Sequence, residues 1–534
     1  MTLPRYVRLL LALASGAALA FSFPNYNLSL LAWPAIGMLV LACFEARPWE
    51  ALLYGFLHGV VFYPLSVPWI DTVMHQYGNV DPWLSAAILG LLSVAFSIFP
   101  AVFGWGVARV SSKFPPGLNR RYACALAPFL WVAIEVGKTY LILGGFPWNL
   151  AGYAVSGSLG LVQLVALTGV YGLSFVVAGY GSFIVYAILS GRQRIWKAAI
   201  VATGVLVLIG AGGKYFVPFA VPHHVARLVQ TNFPQSEEYP SNWMQVHAGE
   251  LDQLDRISVS AAQDSPERPG LIVWPEVPAP FTMQDPNFSQ RARKIAQDSA
   301  SDFLVGIVDW KRDAAGKWLA SNTALLLDPA GQRIFAYDKI HLVPFGEFVP
   351  YRRLLWFAGK LTADIGDFTP GNSYAVGKLP DGSFGVFICY EAIFPAQVRE
   401  YTRHGAQLLI NISNDGWFGR SSAPAQHIMM ARVRAVENRR WLLRDTNNGF
   451  TASIDPYGRI VAELPTDVRA ELDAPYDFRT GLTPYVRLGD WFAWLCVAVS
   501  IAFLVFASVA ASRAPQPASL PKTVQGCIFL YVSS

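Results

Sequence analysis

Residues 85–108 read SAAILGLLSVAFSIFPAVFGWGVA, 24 consecutive positions without a charge. At a helical rise of about 1.5 Å per residue this run spans roughly 36 Å, more than the ~30 Å hydrocarbon core of a bilayer. Such a stretch predicts a helix that crosses a membrane. Six more apolar runs lie before residue 215, at 7–22, 29–44, 51–69, 123–137, 169–189 and 195–213, and one lies near the end, at 489–511. The averages agree: of 534 residues, 53% are hydrophobic and 14% charged, against roughly 25% charged in a typical soluble chain. An all-soluble protein and a disordered one are both excluded, and the length exceeds what one hydrophobic core organises. A net charge of +5 gives no sign of nucleic-acid binding. Five cysteines without a CxxC or Cys/His cluster argue against zinc and against a complete disulfide framework.

Positive charges orient the eight predicted spans. Arg47, then Arg109, Lys113, Arg120 and Arg121, then Arg192, Arg194 and Lys197 fall in alternate loops, while the loops at 23–28 and 70–84 carry no Lys or Arg. Basic loops stay cytoplasmic, so residues from about 215 onward emerge on the outer side. The run at 7–22, with Arg5 and Arg8 ahead of it, reads as a first span rather than a cleaved leader. The expected division is a seven-span domain at 1–215, an extracytoplasmic domain at 216–485, an eighth span at 486–512 and a cytoplasmic tail at 513–534. Within the spans Glu135 and Lys138 stand three apart, either as a self-satisfying pair or lining a polar headgroup site. Gly144–Asn149, GGFPWN, reads as a loop or re-entrant piece on the outer side.

From Val225 to about Phe478 the pattern changes to short β-rich runs alternating with polar helical stretches. Strands are expected at Ala226–Gln230, Leu271–Trp274, Phe303–Val308, Asn322–Asp328, Arg333–Tyr337, Phe384–Cys389 and Gln407–Ile412. Helices are expected at about 242–260, 288–300, 395–404 and 424–440. Alternation of this kind predicts a layered α/β domain around a buried sheet.

Three strand ends carry reactive groups. Cys389 closes FGVFICYE and is the one cysteine outside the spans and the tail; an isolated thiol on the oxidising side of a membrane is either buried and inert or kept for its reactivity. Glu276 ends IVWPE, and Lys339 follows AYD, with His341 and Glu347 just beyond. Singly, each is an ordinary solvated residue at a strand end. A thiol, a carboxylate and a cation at three exits are together what a cysteine nucleophile needs.

WPE, YDK-x-HLVPFGE and CYE, in that order, resemble the Glu–Lys–Cys site of the nitrilase superfamily. PFGEFVP, ISNDGWFG and QH…AR-x-RA-x-E-x-x-R, together with the spans, look like its membrane-embedded branch, the apolipoprotein N-acyltransferases. Ala423–Pro424–Ala425 and Ile340 depart from that pattern. The resemblance implies a polytopic α-helical membrane protein of eight spans carrying a nitrilase-like αββα sandwich, set in a bacterial inner membrane with the sandwich on the periplasmic side. It implies Cys389 as nucleophile, Glu276 as general base and Lys339 as the cation beside the oxyanion. Glu347, Tyr390, Glu391 and Trp243 are implied as substrate-binding or supporting residues. The acyl donor would be a membrane phospholipid and the acceptor a diacylated apolipoprotein, with no cofactor. Two other readings are a membrane-anchored nitrilase-type amidase and a polytopic transporter or receptor. Asn414, Asp415, Gly416 and Trp417 are expected to form a turn near the site, and His427 to be structural. Arg432, Arg434, Arg439, Arg440 and Arg444 are expected to be solvated or paired with Glu437 and Asp445. Phe345, Phe348, Trp356 and Phe357 are expected to form a loop dipping toward lipid.

Overall fold

The computed structural model describes residues 3–78, 80–142, 144–235, 240, 242–260, 269–348 and 368–512. Trp356, Phe357 and the tail beyond 512 lie outside the described residues. All eight apolar runs are helical: Arg5–Phe21, Ala32–Cys43, Pro48–Ser66, the pair Pro82–Phe96 and Ile98–Ser111, Leu118–Tyr140, Val170–Ser190, Gln193–Phe216 and Trp491–Ser512. Pro48 and Pro82 open their helices, where a missing N–H costs nothing. The uncharged run at 85–108 belongs to one 30-residue unit, Pro82–Ser111, interrupted at Ser97. Pro100 has no N–H to offer the Phe96 carbonyl, and the Ser97 hydroxyl turns back to the Ser93 carbonyl at 2.6 Å.

Among the described residues, four helices are long and apolar enough to cross a membrane on those grounds alone: Pro82–Ser111, Val170–Ser190, Gln193–Phe216 and Trp491–Val509. Pro48–Ser66 makes a fifth when taken with Trp69–Gln76, to which it is bent by 53°. The remaining runs fall below the eight expected spans for identifiable reasons. Arg5–Phe21 has 17 residues and includes Arg5 and Arg8, Ala32–Cys43 has 12, and Leu118–Tyr140 includes Arg120, Arg121, Glu135 and Lys138. These three pack against their neighbours. A Cβ on Gly37 would lie 2.6 Å from the Gly181 carbonyl oxygen, so Ala32–Cys43 and Val170–Ser190 touch backbone to backbone. Gln193–Phe216 is the opposite case, with Ala199 and Gly213 its buried residues and Ile200, Val201 and Leu208 exposed. A helix so apolar and so uncovered suits hydrocarbon rather than water. The chain is a membrane protein.

Helix ends gather into two groups. On one side Asn119 bonds Glu45 at 2.7 Å, the Ser111 hydroxyl accepts from Glu45 N, and Arg120 reaches the Leu189 carbonyl. On the other side Pro24, Ser66, Trp69, Trp148 and Gln426 meet.

The remaining chain forms two six-stranded sheets. Twelve strands follow in order: β1 His224–Gln230, β2 Leu271–Val273, β3 Asp302–Arg312, β4 Trp318–Leu327, β5 Arg333–Asp338, β6 Val376–Leu379, β7 Gly382–Ile388, β8 Leu408–Ser413, β9 Leu442–Thr446, β10 Ala452–Ile454, β11 Ile460–Glu463 and β12 Ala470–Tyr476. One sheet runs β12-β1-β2-β3-β4-β5 and the other β11-β10-β9-β8-β7-β6. In each, three neighbouring strands are parallel (β1-β2-β3 and β7-β8-β9) and the flanking ones antiparallel. Parallel strands buried on both faces read as continuous apolar runs, as GVFI does and as LLINIS does but for Asn411 and Ser413. Helices Ala248–Val259 and Pro286–Ser299 cover the first sheet; Pro395–Arg403 and Ala423–Asn438 cover the second. This is the expected nitrilase-like layering of helix, sheet, sheet and helix. Ala423–Asn438 also rests on the short helical turns between Ala151 and Thr168, which join two membrane helices, so the sandwich meets the bundle through that layer.

Candidate active site

Parallel strands place their C-terminal ends, and the loops that follow, on one edge of a sheet. β2 delivers Glu276 there, β5 delivers Lys339, and β7 of the other sheet delivers Cys389. All three are buried, at 5%, 1% and 6% exposure. The Glu276 backbone packs tightly on β3 because Gly306 is there: a Cβ at Gly306 would lie 2.4 Å from the Pro275 oxygen.

Lys339 Nζ sits 2.9 Å from Glu276 Oε1 and 3.0 Å from Glu347 Oε1. Asn322 Nδ2, from mid β4, donates to the same two oxygens at 2.8 and 2.9 Å. Asn414 N donates to Glu276 Oε2 at 2.9 Å, and Val343 N to Glu347 Oε2 at 2.8 Å. Two carboxylates are thus held around one ammonium. Burial disfavours the charged amine, but Glu276 and then Glu347 outweigh it and keep Lys339 protonated well above the usual lysine range.

Cys389 begins the short turn Cys389–Ile393 with φ +50°, in the left-handed region. A non-glycine residue held there costs on the order of 1–3 kcal/mol, so the surroundings must impose it. Two contacts do. Ile388 N donates to Glu391 Oε2 at 2.7 Å, closing the turn, and His427 Nε2 lies 3.0 Å from the Cys389 carbonyl oxygen. That oxygen can only accept, so Nε2 carries the proton. Burial and the charge of Glu276 push the Cys389 thiol far above the usual cysteine range, against the pull of Lys339. At rest the group is a thiol.

Of the supporting residues, Glu347 is in the cluster, and the turn Val343–Phe348 holds it there through Glu347 N to Val343 O and Phe345 N to Phe348 O. Phe345 and Phe348 are half-buried in that turn. Glu391 is a hub. Its Oε1 accepts from Tyr337 OH, Ile340 N, His341 N and Gln397 Nε2 at 2.7, 2.7, 3.1 and 2.6 Å. With Ile388 N on Oε2, it ties the strand exit of Lys339 to the strand exit of Cys389. Tyr390 is buried, stacks edge-on with Phe394 and reaches the Gly145 carbonyl of GGFPWN at 3.5 Å. Trp243 packs with Phe233, His247 and Phe281 in the core of the first sheet's helical layer.

Asn414–Trp417 does form a turn beside the site, opened by the Asn414 side chain accepting from Gly416 N. The arginines depart from expectation. Arg434, Arg440 and Arg444 are fully buried. Arg434 pairs with Glu437 as foreseen, but Arg444 pairs with Asp415 at 2.7 Å rather than Asp445, and Arg440 donates to the carbonyls of Ala406 and Gly481. The Arg444 guanidinium overrides burial and holds the Asp415 carboxyl well below the usual range. Asn322 and His427 are contributions that strand-end reasoning missed or undervalued. An Asn inside the apolar run ALLL-flanked β4 was the available signal, since a buried amide there demands partners. Among the described residues no cluster of three or more His, Cys, Asp or Glu is arranged to hold a metal.

Comparisons with known proteins agree with this geometry. Residues 15–183 match the apolipoprotein N-acyltransferase N-terminal domain, and residues 228–476 match the carbon-nitrogen hydrolase family. The apolipoprotein N-acyltransferase of Geobacter metallireducens is 38% identical over 92% of this chain and 93% of its own. Those of Azotobacter vinelandii and Methylococcus capsulatus are each 32% identical, covering 97% and 90% of this chain and 98% and 93% of theirs. This chain belongs to the apolipoprotein N-acyltransferase family.

Proposed function

We propose that Cys389 takes a fatty acyl chain from a membrane phospholipid as a thioester and passes it to the N-terminal amine of the diacylglyceryl-cysteine of lipoproteins. The chain is an acyltransferase of lipoprotein maturation, and the observation that carries the cysteine route is the Glu276–Lys339–Glu347 cluster beside the buried Cys389. Because the thiol is neutral at rest, its proton must leave as it attacks. Glu276 Oε1 is occupied by Lys339 and Asn322, while Oε2 has one donor, Asn414 N, and keeps a lone pair for that proton. The sulfur adds to the ester carbonyl, and the oxyanion forms beside Lys339 and a backbone N–H next to Cys389. Collapse breaks the C–O bond; the lysophospholipid oxygen takes the proton from Glu276 and leaves. The lipoprotein amine then attacks the thioester carbonyl, Glu276 takes a proton from nitrogen, and the thiolate departs and is reprotonated. Glu347, Glu391 and Tyr390 support or line the site rather than react, and Trp243 supports it from the helical layer of the first sheet.

The same reading sets the chain in a bacterial inner membrane with eight crossings, 1–215 carrying seven and 486–512 the last, and with 216–485 periplasmic. Support comes from the two groups of helix ends. Val170 and Asp490, at the starts of two spans, bond Glu437 and Arg399 of the sandwich, and the basic loops cluster on the opposite side. Phe345 and Phe348 belong to the turn facing lipid. The test is Cys389→Ser in cells lacking any other such acyltransferase, with mass spectrometry of lipoprotein N-termini. Diacylated lipoproteins with free amines are expected; full N-acylation by the variant overturns the cysteine route.

A further inference from the structure

Glu135, Lys138 and Gln426 are buried, polar and unused by the chemistry above. Glu135 and Lys138 do not simply satisfy each other. Glu135 Oε1 accepts from Ala151 N at 2.7 Å and Trp131 Nε1 at 3.0 Å, while Lys138 Nζ donates to the Trp148 carbonyl at 2.8 Å. Both grip the non-helical stretch that follows GGFPW, where irregular backbone needs internal partners.

The held residue, Trp148, then reaches the sandwich. Its Nε1 donates to Gln426 Oε1 at 2.6 Å, and its ring lies 5.8 Å from that of His427. Gln426 Oε1 also accepts from Trp69 Nε1, and its Nε2 donates to the carbonyls of Pro24 and Ser66. Both lone pairs and both protons of this amide are therefore spent on three separate loops of the membrane domain. It cannot shift without breaking bonds to one of them. The next residue on the same helix, His427, is the one that bonds the Cys389 carbonyl.

We infer that Gln426 and His427 are positioning residues through which the membrane domain sets the geometry of the nucleophile, with Glu135 and Lys138 as the far anchor of the same chain. The strained φ of Cys389 is what the chain holds. The bundle is then part of the active site's framework as well as its anchor. The inference rests on the cysteine reading above for its kinetic consequence, and on geometry alone for its effect on Cys389.

The experiment uses the full-length protein in phospholipid–detergent micelles, with a phospholipid bearing a fluorescent acyl chain. Single-turnover thioester formation is measured beside the alkylation rate of Cys389 by iodoacetamide, read on its peptide by mass spectrometry. His427→Phe removes the donor and is expected to slow thioester formation roughly a hundredfold, the scale of a 1 Å misplacement. His427→Gln, which retains an N–H at that reach, is expected to recover most of the loss. Lys138→Met, and Trp148→Phe where Lys138→Met does not accumulate, are expected to act in the same direction with KM for the donor changed less than about twofold. Lys138→Met combined with His427→Phe is expected to be no slower than His427→Phe alone. Losses that multiply, a loss confined to KM, or a wild-type alkylation rate in folded Trp148→Phe and Lys138→Met overturn the inference. A wild-type protein that forms no thioester overturns the cysteine reading instead, and the alkylation rates still decide this one.

Discussion

Glu391→Gln separates two roles for a residue that lies next but one to Cys389. The carboxylate receives five donors, four on Oε1 and Ile388 N on Oε2. A glutamine keeps the most bonds by turning its oxygen toward the four, which points its NH2 at Ile388 N–H. One charge-assisted bond, about 1.5–3 kcal/mol, is then lost, and a buried N–H faces another donor at about 1–3 kcal/mol. The sum is about 4 kcal/mol, which for a domain of some 250 residues lowers the unfolding midpoint by roughly 10 °C. Because Glu391 binds the exit of Lys339 and the turn of Cys389 and is itself fully buried, the chemical step should slow roughly a hundredfold. KM for the donor should hold. Thermal unfolding in detergent and single-turnover thioester formation read the two consequences. A variant that unfolds and acylates like the wild type refutes the reasoning, and so does a rise in KM alone, since Glu391 would then be touching substrate.

Lys339→Met leaves Glu276 and Glu347 facing each other across Asn322 without a cation; a loss on the order of 10²–10³ in acylation rate is expected, and retention of activity within tenfold contradicts the role. Glu437 is raised by burial from 4.5 to about 7, with Arg434 opposing. A carboxyl whose folded pKa is raised binds its proton more tightly in the folded state, so stability falls as pH rises from about 4.5 through about 7, by about 3 kcal/mol. Glu437→Gln should remove that slope in thermal unfolding between about pH 5 and 8; the same slope in the variant shows that another group carries it.

Much of the fold was legible because apolar runs report burial directly. All seven foreseen strands are present, and the four helices of the sandwich fall where amphipathic stretches stood. Five strands escaped notice, β10 because it is only three residues long. β9, LLRDT, buries Arg444 and Asp445 in an interior that pattern reading assumes to be apolar, and β6, β11 and β12 are short or edge strands with Gly, Pro or exposed positions. Glu276, Lys339 and Cys389 could be found because strand exits are visible in sequence. The apolar flanks of Asn322 mark its amide as buried, but the partners of Asn322 and Gln426 were not legible, since nothing local says which amide will meet a distant carboxylate or indole. Eight spans were expected by counting apolar runs. Length and composition single out four or five because the innermost helices are short or carry charges that neighbouring protein satisfies.

The junction between sandwich and bundle makes the same point about charge. Glu437 Oε1 accepts from Val170 N, at the start of one membrane helix, and Asp490 immediately precedes another, where it pairs with Arg399 at 3.1 Å. Both carboxylates sit where a helix N-terminus favours negative charge. Each also answers a buried arginine, Arg434 or Arg399, from the helical layer of the second sheet. An apolar interface of similar extent would hold the domains together equally well, but it would let one slide over the other by a fraction of a side chain. The Arg399–Asp490 pair and the bond from Val170 N to Glu437, both crossing the junction at fixed helix ends, do not tolerate that movement. A site in which Cys389 is strained and whose hydrogen-bonded frame passes through Trp148 and Gln426 is sensitive to displacements of that size. The polar junction is therefore best understood as setting register, with adhesion left to the apolar contacts around it.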